Sequence, residues 1–303
     1  MAATTVPDTA TSSELDFTRP KGRARREAAI RGLLVTATLV GIVVLAVLLV
    51  RVLTAGTQYL SLSFLTEFPS RLRPLEGGVS NGLSGTLSLM LLVAVGSFPL
   101  GIGAALYLEE FAPKNRLTNL IETNISNLAG VPSVVYGLLG AGLFVGILSF
   151  GRSLIAGALT LTLLILPVII VTSREAIKAV PNALREGGLG LGATRWQTTY
   201  KLVLPQALPG MITGAILGLS RAIGEAAPIL VVGAASARFQ NTTPADLFEQ
   251  FSALPVQIYN NTFDPNPVLQ GIAAGMIIVL LGALLVMNGI AIYIRNRARK
   301  GVQ

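Results

Sequence analysis

The sequence predicts an all-α, polytopic membrane protein with six transmembrane helices. Three observations carry that expectation. Of the 303 residues 52% are hydrophobic and only 13% charged, with a mean hydropathy of +0.67, which is more apolar material than a water-soluble domain can bury. Apolar stretches able to cross about 30 Å of hydrocarbon, each needing about 20 helical residues, recur at about 31–53, 84–108, 124–148, 153–172, 208–235 and 268–294. The basic residues sit at the ends of these stretches and not in a patch interleaved with aromatics, so the net charge of +8 fits a lipid bilayer surface and no nucleic acid partner.

The inventory narrows the chemistry further. The chain contains no Cys and no His, which removes disulfides, thiolate chemistry, histidine-ligated metals and the usual general base. No metal site is expected, and an enzyme here would have to run on carboxylates, serines or lysines alone. The pattern G-x-x-x-x-G-K-[ST] is absent, so the chain is not expected to be its own ATPase. Gly188-Leu189-Gly190-Leu191-Gly192 is glycine-rich, but no strand precedes it, which argues against a dinucleotide site.

Residues 1–30 are small and polar, then basic, and read as a disordered cytoplasmic tail ahead of a membrane domain at 31–300. Arg23, Arg25, Arg26 and Arg31 precede the first apolar run, as in a signal peptide. That run is too long for a typical signal core, and no convincing small-residue cleavage site follows, so an uncleaved anchor is expected. Six spans place both termini on one side. Seventeen Lys and Arg fall on that side; Arg51, Arg71, Arg73, Arg152 and Arg238 fall on the other, and Arg221 lies within a span. The positive-inside bias puts both termini in the cytoplasm. The outer loops are then about 54–83 and 236–267. In the second, Phe248 to Phe251 and Leu254 to Tyr259 are expected to pack on the outer mouth as a short helix or lid.

Between the fourth and fifth spans lies a long loop, about 173–207. In it Glu186 is followed by two small residues, Gly187 and Gly188, by Gly192 six positions on, and after nine more residues by Leu202-Val203-Leu204-Pro205. This resembles the E-A-A-x3-G-x9-I-x-L-P signature of permease subunits of ATP-binding-cassette importers, with glycines for both alanines and Leu202 for isoleucine. ATP hydrolysed on a separate subunit must move membrane helices, so a short helix has to protrude and dock. Pro181 and a capping Asn182 amide are expected to open that helix. Gly192 supplies the turn, where a side chain would obstruct docking or a positive φ is needed. Trp196 and Tyr200, four apart, share a helical face that can anchor the hairpin. A plain amphipathic interfacial loop is the alternative, against which six positions agree in spacing.

Arg221, twelve residues past Pro209 and so about 18 Å along a helix, is placed beyond the midplane toward the outside, with Glu225 one turn further on the same face. Two readings stay open. The pair can neutralise itself and specify helix packing. Alternatively the guanidinium faces a cavity and holds a tetrahedral oxyanion through paired hydrogen bonds, with Glu225 competing for the same donors or taking a proton from the anion. Gly210, Gly214 and Gly218, spaced by four, permit close helix approach, and Pro228 relaxes the helix past Glu225.

Ser220 to Pro228 (SRAIGEAAP), Leu128 to Gly137 (LAGVPSVVYG) and Leu254 to Tyr259 (LPVQIY) together resemble the PstA-type permeases of bacterial phosphate importers, over about residues 30–300. The resemblance implies the type I ABC importer permease fold, with 31–300 as the transmembrane permease domain, and translocation of inorganic phosphate across the bacterial cytoplasmic (inner) membrane. It implies no catalytic residues and no cofactor bound by this chain, with ATP and Mg on a partner ATPase. The implied partners are a PstC-type permease in a heterodimer, a PstB-type ATPase dimer and a PstS-type extracytoplasmic phosphate-binding protein. Arg221 and Glu225 are the implied pathway residues; Glu186, Gly187, Gly188, Gly192, Leu202, Leu204 and Pro205 are the implied coupling residues. Pro132, Tyr136 and Ser220 are candidates for helix packing or the pathway, the blander reading being that Gly130 and Pro132 loosen a helix start and Tyr136 fills space. The family motif usually reads Gly-Glu-Thr, where this chain has Ala226. Importers of sulfate, molybdate or amino acids share the loop signature, but the Arg221/Glu225 motif argues against them. An intramembrane hydrolase lacks a histidine or a second carboxylate in the spans, and a passive channel needs no coupling loop.

Overall fold

A peptide group in hydrocarbon has no water to bond, so each segment crossing a bilayer must satisfy its own backbone, as a helix does. The computed structural model describes residues 21–234 and 240–300, with side chains from 26 to 297. Among the described residues the secondary structure is helical throughout, without a strand. Residues 1–20 of the tail expected at 1–30, and Arg238, lie outside the described residues.

The chain divides into two units, Met1–Arg51 and Val52–Gln303. The first contains most of α1 (Lys21–Gly56). Helix begins ten residues before the boundary drawn from hydropathy at 31, so the stretch from 21 to 30 is helical and not irregular. Its Lys, Arg, Glu and Ala side chains are all strong helix formers. From Leu33 to Val50 the helix is apolar on every side, the pattern of a membrane span.

In the second unit, α2 (Leu62–Thr66) is capped by Ser61, whose hydroxyl accepts from the Phe64 amide at 3.1 Å. Then come α3 (Ser80–Leu106), which widens into a π-helical turn at Tyr107–Phe111, α4 (Arg116–Leu128), and α5 (Ser133–Gly140), which continues as a π-helix over Ala141–Ile147. They are followed by α6 (Leu154–Lys178), α7 (Asn182–Gly190), and α8 (Arg195–Thr198), which runs through Thr199–Val203 into α9 (Leu204–Ile223). The last are α10 (Ala227–Val232), α11 (Leu254–Thr262) and α12 (Pro267–Lys300).

Five of the described helices are long and apolar enough to cross a membrane, and α4 with α5 makes a sixth only as a pair bent by 103°. The third expected span, 124–148, is therefore broken at residues 129–132. The fifth, 208–235, is broken too: α9 ends at Ile223 and α10 restarts at Ala227. Proline explains both positions. Its ring clashes with the carbonyl four residues earlier and it has no N–H to donate, and the residues four before Pro132 and Pro228 are Leu128, where α4 ends, and Gly224, where α9 is capped. Pro99, Pro167 and Pro209 lie inside continuous helices.

Helix α6 is the central post, with 67% of its most apolar stretch buried. Its Leu161, Ile165 and Ile169 pack with Leu89, Met90 and Val93 of α3 and with Leu219 and Ile223 of α9. The expected small-residue face of α9 is what lets it approach. A methyl group at Gly210 would stand 2.7 Å from Cβ of Ala176, one at Gly218 would stand 3.2 Å from Ile169, and one at Gly214 would collide with the Thr172 side chain. In the loop before α12, Phe251 is a core residue, 1% exposed and set against Gly157 of α6, while Phe248 stays on the surface against Phe150. The Leu254 amide donates to Thr86 at 2.9 Å, and Ser88 donates to the Thr242 carbonyl at 2.8 Å, so this loop is stapled to α3.

Gly214→Val should destabilise the α6–α9 contact by about 1–3 kcal/mol, as overpacking does. A lower thermal midpoint in detergent checks this, with Gly289→Val, whose site is open, expected to leave the midpoint unchanged.

Candidate functional site

The two helix breaks meet. Gly137, in the first turns after one break, lies against Pro228, just after the other: a methyl at Gly137 would stand 2.7 Å from the Pro228 Cα. The Leu128 carbonyl, which Pro132 cannot bond, accepts from the Val131 amide at 3.1 Å and from the Tyr136 hydroxyl at 2.9 Å. Tyr136 is 7% exposed and packs in the central core with Ile229 of α10, within electrostatic reach of Arg221. The motifs LAGVPSVVYG and SRAIGEAAP, ninety residues apart, thus form one structural feature.

Arg221 occupies the last turn of α9, where a cation is favoured by the exposed carbonyl dipoles. Glu225 lies past the helix end in the gap, not one turn further along a continuous helix as the spacing suggested. The contact between them is long, Arg221 Nε to Glu225 Oε1 at 3.4 Å, with the arginine side chain 44% exposed and the glutamate 19%. No other partner engages Arg221 among the described residues, which leaves its two terminal nitrogens available to donate. The Ser220 hydroxyl, beside it, donates and is shared between Asn288 Oδ1 and the Ile216 carbonyl, each at 2.7 Å, so the end of α9 is tied to α12. No group of three or more Asp and Glu side chains among the described residues could hold a metal ion.

The loop at 173–207 forms a helical hairpin. Pro181 directly precedes α7, but the Asn182 side chain does not cap it; its Oδ1 accepts from Arg185 Nη1 at 3.2 Å instead. Glu186 is exposed, and no hydrogen bond or ion pair engages it among the described residues. Gly187 faces open space. Gly188 is buried, and a methyl there would stand 2.9 Å from both Leu202 and Thr198, so the two glycines of the signature differ: one packs the hairpin and one does not. Gly192 has φ of +83°, the left-handed turn expected of it. Thr194 and Gln197 close a reciprocal cap on α8. Leu204 packs with the buried Ile177, Val180 and Val203, and Pro205 sits in the first turn of α9. Trp196 and Tyr200 do share a face and stack at 6.3 Å, yet both are exposed; Trp196 also meets Phe111 at 5.8 Å.

Sequence reasoning missed a buried ionic cluster beside this hairpin. Arg185 of α7 donates from Nε and Nη2 to Glu110 Oε1 at 3.0 and 2.9 Å, and to the carbonyls of Val180 and Ile177 at 2.6 and 2.8 Å. Arg174 of α6 pairs with Glu122 of α4 at 2.8 Å and with Glu109 at 3.3 Å. The available signal was the doublet Glu109-Glu110 at the end of a span, opposite a loop rich in arginine.

A helical membrane bundle with two facing helix breaks and a capped hairpin on one loop is the build of a transport permease. The chain belongs to the family of binding-protein-dependent transport system inner membrane components, whose model matches residues 97–300. It is 36% identical over 243 residues to the probable ABC transporter permease protein YqgI of Bacillus subtilis, covering 77% of this chain and 82% of that one. It is 35% identical over 213 residues to the phosphate transport system permease protein PstA of Mycobacterium leprae, covering 68% of each. Among solved structures it resembles a bacterial ABC transporter involved in the import of the acidic polysaccharide alginate, at a TM-score of 0.62 and 17% identity, over 91% of this chain and 98% of that one. The fold is that of type I ABC importer permeases, and the protein is a multi-pass component of the inner membrane.

Because Gly187 is open, Gly187→Ala should stabilise α7 by about 1 kcal/mol through helix propensity. Gly192→Val should strain the turn by about 1–2 kcal/mol. Limited proteolysis of the 182–200 hairpin should be slower in the first variant and faster in the second.

Proposed function

We propose that this chain is the permease subunit of an ATP-driven importer that carries inorganic phosphate across the cytoplasmic membrane, with both termini in the cytoplasm. The observation that carries the reading is Arg221, held at a helix break by one long contact and with donors to spare. Discontinuous membrane helices place ion sites where backbone need not be continuous, and a guanidinium binds a tetrahedral oxyanion through paired donors. Glu225 favours phosphate over sulfate or molybdate: a protonated phosphate oxygen can donate to the carboxylate, whereas a fully ionised oxyanion meets only repulsion there. The mycobacterial relative, a phosphate transport permease by name, supports the same ion.

The orientation follows from the bias of Lys and Arg toward one set of loops. It places the hairpin in the cytoplasm, where Glu186, Gly187, Gly188, Gly192, Leu202, Leu204 and Pro205 present α7 to a PstB-type ATPase dimer. ATP and Mg bind there and not on this chain. A PstC-type permease completes the pathway, and a PstS-type protein delivers phosphate from the other side. Pro132, Tyr136 and Ser220 position the breaks around Arg221.

In complexes reconstituted into liposomes, Arg221→Ala should lower ATP-dependent uptake of radiolabelled phosphate by about tenfold to a hundredfold, the loss of a charged hydrogen bond worth about 1.5–3 kcal/mol, while the subunits still co-purify. Normal uptake by that variant removes Arg221 from the pathway. Glu186→Lys should abolish co-purification with the ATPase.

A further inference from the structure

Helix α7 is only nine residues long, leaves α6 through Pro181, and exits through Gly190 and Gly192. Leu184 and Gly188 pack it against the rest of the hairpin and the end of α6. Arg185 adds an ionic link to α3. Its guanidinium bonds the Ile177 carbonyl in the last turn of α6, the Val180 carbonyl just past that helix and the Glu110 carboxylate at the same time, with Glu110 only 8% exposed and Arg185 20%. Glu110 belongs to the π-helical turn that ends α3. The adjacent Glu109 faces the other way in the network: it meets Arg174 at 3.3 Å, and Arg174, 10% exposed, also grips Glu122 on α4 at 2.8 Å. Helix α4 leads directly into the break that carries Pro132 and Tyr136.

We propose that the doublet Glu109-Glu110 is a branched ionic joint through which a displacement of α7 is passed to α3 by Arg185–Glu110 and to α4, and so to the break beside Arg221, by Arg174. The proposal rests on the coupling role given above to the hairpin and names the residues that carry its motion inward. Buried ion pairs are not an economical source of stability, since apolar packing of the same volume often serves as well. What they add is fixed register between elements. An arginine fork that holds two carbonyls and a carboxylate transmits both push and pull, which an apolar contact does not. These are positioning residues; none of them touches the transported ion.

The test uses the full complex in liposomes with two readouts, phosphate moved per ATP hydrolysed and, in this cysteine-free chain, the distance between spin labels at Ala183→Cys on α7 and Thr123→Cys on α4. Glu110→Gln and Arg185→Gln should each leave ATP hydrolysis within about twofold and lower phosphate per ATP at least tenfold, with the double variant no worse than either single one, as partners in one contact behave. Arg174→Gln should let the label distance change on adding ATP, where the unmodified complex holds it constant. A ratio that stays normal in both single variants, losses that multiply in the double, or a label distance unaffected by Arg174→Gln would overturn the joint. Should Glu110→Gln fail to assemble, Arg185→Lys keeps the charge without the fork, and an unchanged ratio there overturns it equally. An unmodified complex that moves no phosphate overturns the choice of ion alone, because the label distance still reports the joint.

Discussion

A helix interrupted inside hydrocarbon exposes peptide groups that only protein or enclosed water can satisfy, and the rest of this structure depends on where that happens. Pro132 and Pro228 each cancel a bond to the fourth residue before them and sit at breaks, whereas Pro99, Pro167 and Pro209 lie inside continuous helices. The cost of one break is met within the chain: Tyr136 reaches back to the Leu128 carbonyl. The gaps are then pressed together, Gly137 on Pro228, which leaves Arg221 and Glu225 as a charged pair beside non-helical backbone. A lone arginine in a membrane costs a few kcal/mol by insertion scales, so its presence at such a gap is difficult to explain by packing alone.

Packing holds that gap in place. Helix α6 is continuous and buried, and both broken elements lean on it: α9 by its Gly210, Gly214 and Gly218 face, α5 and α10 through the core around Tyr136 and Ile229. The bundle thus has rigid support on one side of the gap and interrupted helix on the other. The hairpin at the far end of α6 shows the same economy. Its inner face is packed by Gly188, Leu202 and Leu204, and its outer face leaves Glu186, Trp196 and Tyr200 exposed for another surface.

Much of this was legible in the sequence. Hydropathy located every long helix, the spacing from Glu186 to Pro205 located the hairpin, and the positive φ at Gly192 and the close face of α9 followed from glycine placement. The errors share a cause. Apolar composition measures what hydrocarbon tolerates and not whether a helix is continuous, so the spans at 124–148 and 208–235 were drawn unbroken, and the start of α1 was put ten residues late. Asn182 was expected to cap because its residue type caps well; the nearby Arg185 competes for the same oxygen. Phe251 was placed at the mouth because a loop phenylalanine has no local signal that Gly157 awaits it. The Glu109, Glu110, Arg174 and Arg185 cluster was invisible as a cluster because its members are 65 and 75 residues apart and only the fold brings them together.

The central claim is that the gap beside Arg221 is a wet, ion-accessible site. The absence of cysteine makes it directly measurable with Ala226→Cys in the gap and Leu217→Cys on the exposed apolar face of α9, each treated in the assembled complex with a charged, membrane-impermeant thiol reagent. Ala226→Cys should be labelled, phosphate should slow its labelling, and Leu217→Cys in lipid should not be labelled. An Ala226→Cys thiol that stays unreactive with and without ATP, or that phosphate never protects, would contradict it.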